Sequence, residues 1–316
     1  MMVNPGELFN SCYGTYAIAA VNIWSMEQAL ALFSAGKKSG SPFIVQTTPA
    51  ARNYAGQAML LSMISAADKI FQGNIFSIHL DHGNESHIRE ALHSGGYSSV
   101  MIDASHDSFE ENVRRTAVVV KEAHSRGIFV EAELGMLAGR EDDMESLKGK
   151  YTKPSEAEEF VKRTGCDSLA IAAGTSHGAY KFSGGEGIQF HILEEISKRL
   201  PSYPLVLHGA SGVDAGEIDR INRAGGKIGA GARGVPAGQI REAVKFGICK
   251  VNIATDARLI WTRVHREFFT NNPEQIDSII PGKTFMEEYE KFLVEKFESL
   301  GSAGKNQFIK LSGKQH

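Results

Sequence analysis

Cysteine is scarce in this chain of 316 residues: Cys12, Cys166 and Cys249 stand far apart and are odd in number. That excludes a disulfide framework and any Cys-x-x-Cys metal site, and it leaves three buried thiols as the expectation. No apolar run reaches the ~18 residues that a transmembrane helix needs. The opening Met-Met-Val-Asn-Pro-Gly-Glu has no charged flank leading into an apolar stretch. Neither a membrane span nor a signal peptide is expected, and the chain reads as cytosolic, or cytoplasmic. Blocks of like charge are absent too, and the formal net charge is only -3. Without a basic footprint for nucleic acid or an anionic membrane, the expected partner is a small molecule.

What the chain does have is a regular rhythm. Hydrophobic residues make up 42% of it, enough for a full core. Apolar, β-branched segments recur at 16–22, 42–46, 75–80, 98–102, 128–133, 168–173, 204–208 and 249–253. Between them run stretches with apolar residues at helical spacing: Met26–Lys38, Glu85–His93, Phe109–Arg126, Ser155–Thr164, His191–Arg199 and Ala237–Phe246. Eight strands alternating with helices predict an α/β fold, a (β/α)8 TIM barrel, with a doubly wound sheet as the competitor. After the eighth strand, Leu259–Phe269 and Phe285–Leu300 predict additional C-terminal helices within about 259–300, followed by a loose polar tail, 301–316. No linker or repeat divides the chain, so one barrel domain over 1–316 is expected. Gly229-Ala-Gly231-Ala-Arg-Gly234 spells G-x-G-x-x-G, but Val235-Pro236 follows where a helix should start. It reads as a glycine-rich connection between the seventh and eighth strands.

In such a barrel, reactive groups come from the C-terminal ends of the strands. The third strand ends in His79-Leu-Asp81-His82-Gly83 and the fifth runs into Glu131-Ala-Glu133. The sixth runs into Gly174-Thr-Ser-His177-Gly178 and the seventh into His208-Gly209-Ala-Ser211-Gly212. One histidine at a strand end is ordinarily a hydrogen-bonded structural residue. Three, His82, His177 and His208, each followed by glycine, point to a metal. Three protein ligands plus an open position make a catalytic zinc arrangement, and imidazoles without cysteine suit a Zn-like ion. The first strand lacks the His-x-His pair of an amidohydrolase site. The sixth strand has no lysine for imine chemistry, and Lys250 lies early in the eighth, at the wrong end. Gly178 with Lys181, the turn Gly209–Gly212, and Asn252-Ile-Ala-Thr255-Asp256 follow strands six, seven and eight. Barrels commonly bind phosphate there, through glycine-turn N–H groups, hydroxyls and a helix N-terminus.

These motifs resemble those of the class II (zinc-dependent) fructose-bisphosphate and tagatose-bisphosphate aldolases, and the likeness runs from about Tyr16 to Gly304. The resemblance implies Zn2+ on His82, His177 and His208, and Asp81 as proton donor and acceptor. It implies that Glu141, in Ala138-Gly139-Arg140-Glu141-Asp142 after strand five, moves the proton on the donor carbon from a mobile loop. Glu133 would orient a ligand or hold zinc in an empty pocket, while Glu131 could equally be a structural barrel carboxylate. Gly178, Lys181, Gly209, Ser211, Asn252 and Thr255 would grip the phosphate and hydroxyls of dihydroxyacetone phosphate. Arg258 resembles an arginine that reaches a substrate phosphate in the neighbouring subunit, which implies a homodimer or higher homo-oligomer. A monovalent cation such as Na+ or K+ is a candidate near the phosphate. The implied reaction is reversible cleavage of fructose or tagatose 1,6-bisphosphate to dihydroxyacetone phosphate and glyceraldehyde 3-phosphate.

The departures from the family pattern gather on the side that holds the aldehyde half. Ala254 stands where the fructose enzymes usually carry Asp, as in the tagatose branch, and Thr48 replaces a usual serine. Both are specificity candidates. Ile280-Pro281-Gly282-Lys283 stands where Asp-Pro-Arg is familiar, and Lys283 would substitute only as a point charge. Two alternatives remain: an enzyme of the same type acting on a different phosphorylated ketose, and a catalytically silent barrel.

Overall fold

The structure is a computed structural model that describes residues 1–136, 150–177, 187–229 and 234–310, with only the backbone given for 138–141, 144–146 and 177. In chain order the strands are β1 (Ile18–Asn22), β2 (Phe43–Thr47), β3 (Phe76–Gly83), β4 (Ser99–Ile102), β5 (Phe129–Leu134), β6 (Ala138–Glu141), β7 (Met144–Ser146), β8 (Ser168–Ile171), β9 (Ser176–His177), β10 (Leu205–Leu207) and β11 (Ile248–Ile253). Eight of them close into a parallel barrel in the order β1-β11-β10-β8-β5-β4-β3-β2, and β7-β6-β9 form a small separate sheet. The eight barrel strands coincide with the eight apolar segments of the sequence. Strands covered by helices outside and side chains inside are buried on both faces, so they read as continuous apolar runs rather than alternating ones.

The helices end where local chemistry ends them. Met26–Ser39 opens with Gln28 reaching back to the Ser25 N–H at 3.2 Å and stops at Gly40, whose φ of 59° is left-handed. Asn84 caps Glu85–Ser94 by accepting from the His87 N–H at 3.0 Å. Helices Pro5–Cys12, Pro49–Ala55, Gln57–Ile70 and Ala215–Arg223 add to those that the periodicity picks out. The two expected C-terminal helices form as Thr255–Asn271 and Ile279–Leu300.

The interior of the barrel is graded along its axis. At the N-terminal end, Leu8, Phe9 and Cys12 of the first helix join Ile18, Ala20, Ile44 and Cys249 in an apolar floor. Cys12, Cys166 and Cys249 are free and buried, as expected. Higher up, Lys250 of β11 bonds to both His79 of β3 and Glu131 of β5. Those strands are not neighbours, so the contacts cross the inside of the barrel. The polar strand ends lie above them.

The expectation of a loose tail from Gly301 is corrected as far as residue 310. Ser41 Oγ donates to Ser302 Oγ at 2.7 Å, the Gly304 N–H donates to the Ser39 carbonyl at 2.8 Å, and Ile309 packs into the floor cluster. A segment poor in apolar residues is docked here by hydrogen bonds to the chain around Gly40. Residues 311–316 lie outside the described residues.

Candidate active site

The site begins with an irregularity in β3. His79 pairs with Ser99 and Leu80 with Val100, but the next partner of Ile102 is Gly83, so the register slips across Asp81-His82. Neighbours in a regular strand face opposite sides. The bulge, with His82 at a φ of 49° that a non-glycine residue rarely adopts, brings both side chains to one side. Asp81, His82 and His208 thus offer ligand atoms that all lie within 4.8 Å of one another.

Each imidazole is oriented from behind by a carboxylate. His82 Nδ1 stands 2.8 Å from Asp103 Oδ2, and His208 Nε2 stands 2.9 Å from Glu131 Oε1. Burial alone would raise the Asp103 carboxyl, but His82 and the Ser105 hydroxyl and N–H outweigh it and hold it well below the usual carboxylate range. Glu131 is treated likewise: burial pushes it up, and the Lys250 ammonium, His208 and His79 bring it down further than burial lifts it. Burial lowers His208 below an ordinary histidine. An ionised carboxylate can only accept, so His82 carries its proton on Nδ1 and His208 on Nε2. The remaining nitrogens, His82 Nε2 and His208 Nδ1, face each other at 3.0 Å. Two lone pairs aimed at one point suit a bound cation. The donor set, two imidazoles with Asp81 and Glu133 at hand, therefore fits a metal ion. Glu133 Oε2 lies 3.8 Å from His208 Nδ1 and 4.0 Å from His82 Nδ1.

Asp81 is fully buried, and its two oxygens accept from Asn22 Nδ2 at 3.0 Å and Asn252 Nδ2 at 3.2 Å. Gln46 Nε2 in turn donates to Asn22 Oδ1 at 2.7 Å. Asn252, expected to touch substrate, thus also braces the carboxylate. Asp103, Asn22 and Gln46 are absent from the sequence reading, although all three sit at C-terminal strand ends, the criterion that found the histidines.

The third histidine is placed by its backbone alone. In β9, Ser176 pairs with Ala138 and His177 with Gly139 of β6, the strand that ends at Glu141. The side chains of His177 and Glu141 lie outside the described residues, as do Gly178 and Lys181. Gly209 fixes β9 against the seventh strand end. Its φ is 60°, and a Cβ there would stand 2.4 Å from the Ser176 carbonyl oxygen, so only glycine fits.

The turn after His208 is held from the start of the helix Thr255–Asn271. Asp256 accepts from the Gly212 N–H at 3.0 Å and the Val213 N–H at 2.9 Å. Ser211 is buried in this turn, and Thr255 opens the following helix directly after Ala254. On the other side of the mouth, Thr48 accepts from the Ala51 N–H at 3.2 Å and lines a cavity of ≈ 470 Å³ with Trp24, Tyr54, Arg258 and Trp261. The Arg258 guanidinium lies 5.4 Å from the centre of the Trp24 ring. Lys283 is exposed near the start of the helix Ile279–Leu300. Among the described residues no helix is long and apolar enough to cross a membrane.

Known proteins share this architecture across nearly the whole chain. The fructose-bisphosphate aldolase from Treponema pallidum is 39% identical, covering 96% of this chain and 97% of its own length. The fructose-bisphosphate aldolase from Giardia intestinalis is 40% identical, with 92% of this chain and 89% of that one covered. Among solved structures, the YdjI aldolase from Escherichia coli K12 superposes with a TM-score of 0.76 at 27% identity, covering 97% of this chain and 100% of that chain. The family described as fructose-bisphosphate aldolase class-II matches residues 4–305. The chain therefore belongs to the class-II fructose-bisphosphate aldolase family, a family of lyases.

Proposed function

We propose that this protein is a zinc-dependent ketose-bisphosphate aldolase, cleaving fructose or tagatose 1,6-bisphosphate reversibly to dihydroxyacetone phosphate and glyceraldehyde 3-phosphate, a step of glycolysis. The observation that carries the reading is the 3.0 Å approach of His82 Nε2 to His208 Nδ1 beside Asp81. At 3.0 Å the two nitrogens are close enough for both to serve as donors to one ion. His82, His208 and His177 would hold the ion, with Glu133 within reach as an alternative ligand. When bound, Zn2+ supplies Lewis-acid polarisation of the substrate carbonyl and its neighbouring hydroxyl.

Asp81, oriented by Asn22 and Asn252, takes the proton of the C4 hydroxyl as the C3–C4 bond breaks. The C4 aldehyde fragment leaves, and the bonding pair stays on C3. Glu141, carried on β6 beside the His177 strand, returns a proton to C3. The turn Gly209–Gly212, Ser211 and Thr255, with Gly178 and Lys181, hold the phosphate of the three-carbon half. Arg258 and the aromatic cavity beside it face the partner subunit of a homodimer. The altered positions Thr48 and Ala254 also favour a second reading, a different phosphorylated ketose as substrate, with the same metal and the same donor half. Chelator treatment tests the main reading: cleavage should vanish and return with zinc or cobalt. Full activity after verified metal removal, or a substrate imine trapped by borohydride, would refute it.

A further inference from the structure

We propose that Lys250 is a positioning residue of the metal site: its ammonium fixes Glu131 so that His208 keeps its proton on Nε2 and its bare Nδ1 toward the ion. The inference rests on the metal reading above. Lys250, Glu131 and His208 side chains are 1%, 2% and 0% exposed. Lys250 Nζ donates to Glu131 Oε1 at 3.0 Å, to Glu131 Oε2 at 2.8 Å and to His79 Nε2 at 3.3 Å. An ammonium has three donors, and all three are used. The Lys250 ammonium can only donate, so His79 accepts at Nε2, cannot donate to Glu131 through that nitrogen, and carries its proton on Nδ1, 2.8 Å from Ser99 Oγ. Glu131 Oε1 is thereby left to His208 Nε2 at 2.9 Å.

Stability alone does not account for this arrangement. A well-packed apolar pair of similar volume commonly serves a barrel core at least as well as a buried ion pair. An apolar pair would leave His208 free to carry its proton on either nitrogen. The ion pair instead presents His208 with a surface that can only accept. The Lys250 side chain, starting below the strand end, reaches no reacting atom and acts through two other residues.

The test uses the full-length chain stripped of metal, titrated with Co2+ in competition with a chelator, and reads the His208 tautomer by 15N NMR. The variants are Lys250→Met and the double variant Lys250→Met/Glu131→Gln. In the double variant both charges are gone, and the introduced amide can accept from Nε2–H or donate to a bare Nε2, so it selects neither tautomer. The wild type should show His208 protonated on Nε2 alone. The double variant should show both tautomers, with Co2+ affinity down ~10- to 100-fold and thermal stability close to wild type. A purely structural Lys250 would change stability and leave the tautomer alone. Wild-type Co2+ affinity in the double variant, or an unchanged single tautomer, overturns the proposal. Should Lys250→Met fail to fold, the double variant is compared with Glu131→Gln alone, where the ammonium should hold the amide oxygen and turn its NH2 to His208; the same tautomer mixture in both overturns the proposal. Should the wild type take up no Co2+, the metal reading falls, while the tautomer measurement still decides what Lys250 does.

Discussion

Replacing Asp103 by asparagine should damage metal binding more than replacing it by alanine, although asparagine is the closer mimic. In the native chain Asp103 Oδ1 accepts from the Ser105 N–H at 3.1 Å and from Ser105 Oγ at 2.8 Å, while Oδ2 faces His82 Nδ1 at 2.8 Å. An amide in this place turns its oxygen to the two Ser105 donors and its NH2 to His82. His82 must then accept at Nδ1 and carry its proton on Nε2, the nitrogen that faces His208. A metal could bind only after the amide turned back, setting its NH2 against the Ser105 N–H. A buried donor left without an acceptor costs about 1–3 kcal/mol, which is roughly 5- to 150-fold in metal affinity. Alanine removes the orienting carboxylate but imposes no tautomer, so its loss should fall at the low end of that range. Competition titration with a chelator gives both affinities. An asparagine variant that binds metal as tightly as wild type, or an alanine variant that binds more weakly than the asparagine one, refutes the reasoning.

Asp81→Ala should block carbon–carbon cleavage while Glu141→Ala impairs proton exchange at C3 of dihydroxyacetone phosphate, each by ~100- to 10,000-fold; normal isotope exchange in the Glu141 variant would pass that role to Asp142. Ala254→Asp should move the ratio of kcat/KM values toward fructose 1,6-bisphosphate, by up to ~1–3 kcal/mol of discrimination, because the methyl offers no acceptor to a substrate hydroxyl. An unchanged ratio on the two ketose bisphosphates would remove Ala254 from the determinants. Deleting residues 302–316 should destabilise the fold by about 2–5 kcal/mol, since it strips Ile309 from the floor cluster and takes the Ser302 partner from Ser41. A denaturant midpoint equal to wild type would show that the docking contributes nothing.

The barrel was legible because each of its strands is a doubly buried apolar run, and the meeting of His82 with His208 because histidines recur at equivalent strand ends. Asp103, Asn22 and Gln46 escaped because a lone Asp, Asn or Gln after a strand carries no signature, and only their distances to His82 and Asp81 reveal them. Lys250 was noticed as too low in the barrel for imine chemistry. Its actual neighbour, Glu131, lies 119 positions away in the chain, and strand order rather than local pattern brings them together. The tail misled because polarity was read as looseness, while its anchors are hydrogen bonds to the chain around Gly40 rather than a run of apolar side chains.

The slip in β3 also bears on any attempt to transplant this chemistry. Up to Leu80 the strand keeps an odd-even parity, with His79 turned inward to Lys250 and Leu80 outward to the helices. At Asp81-His82 that parity breaks. Copying the five letters His-Leu-Asp-His-Gly into a regularly paired strand of another barrel would deliver the aspartate or the second histidine to the mouth, but never both. The unit to graft is the irregular backbone, with the left-handed residue and the partner strand that tolerates it, and a design scored on side-chain identity alone would lose one of its two functional groups to the wrong face.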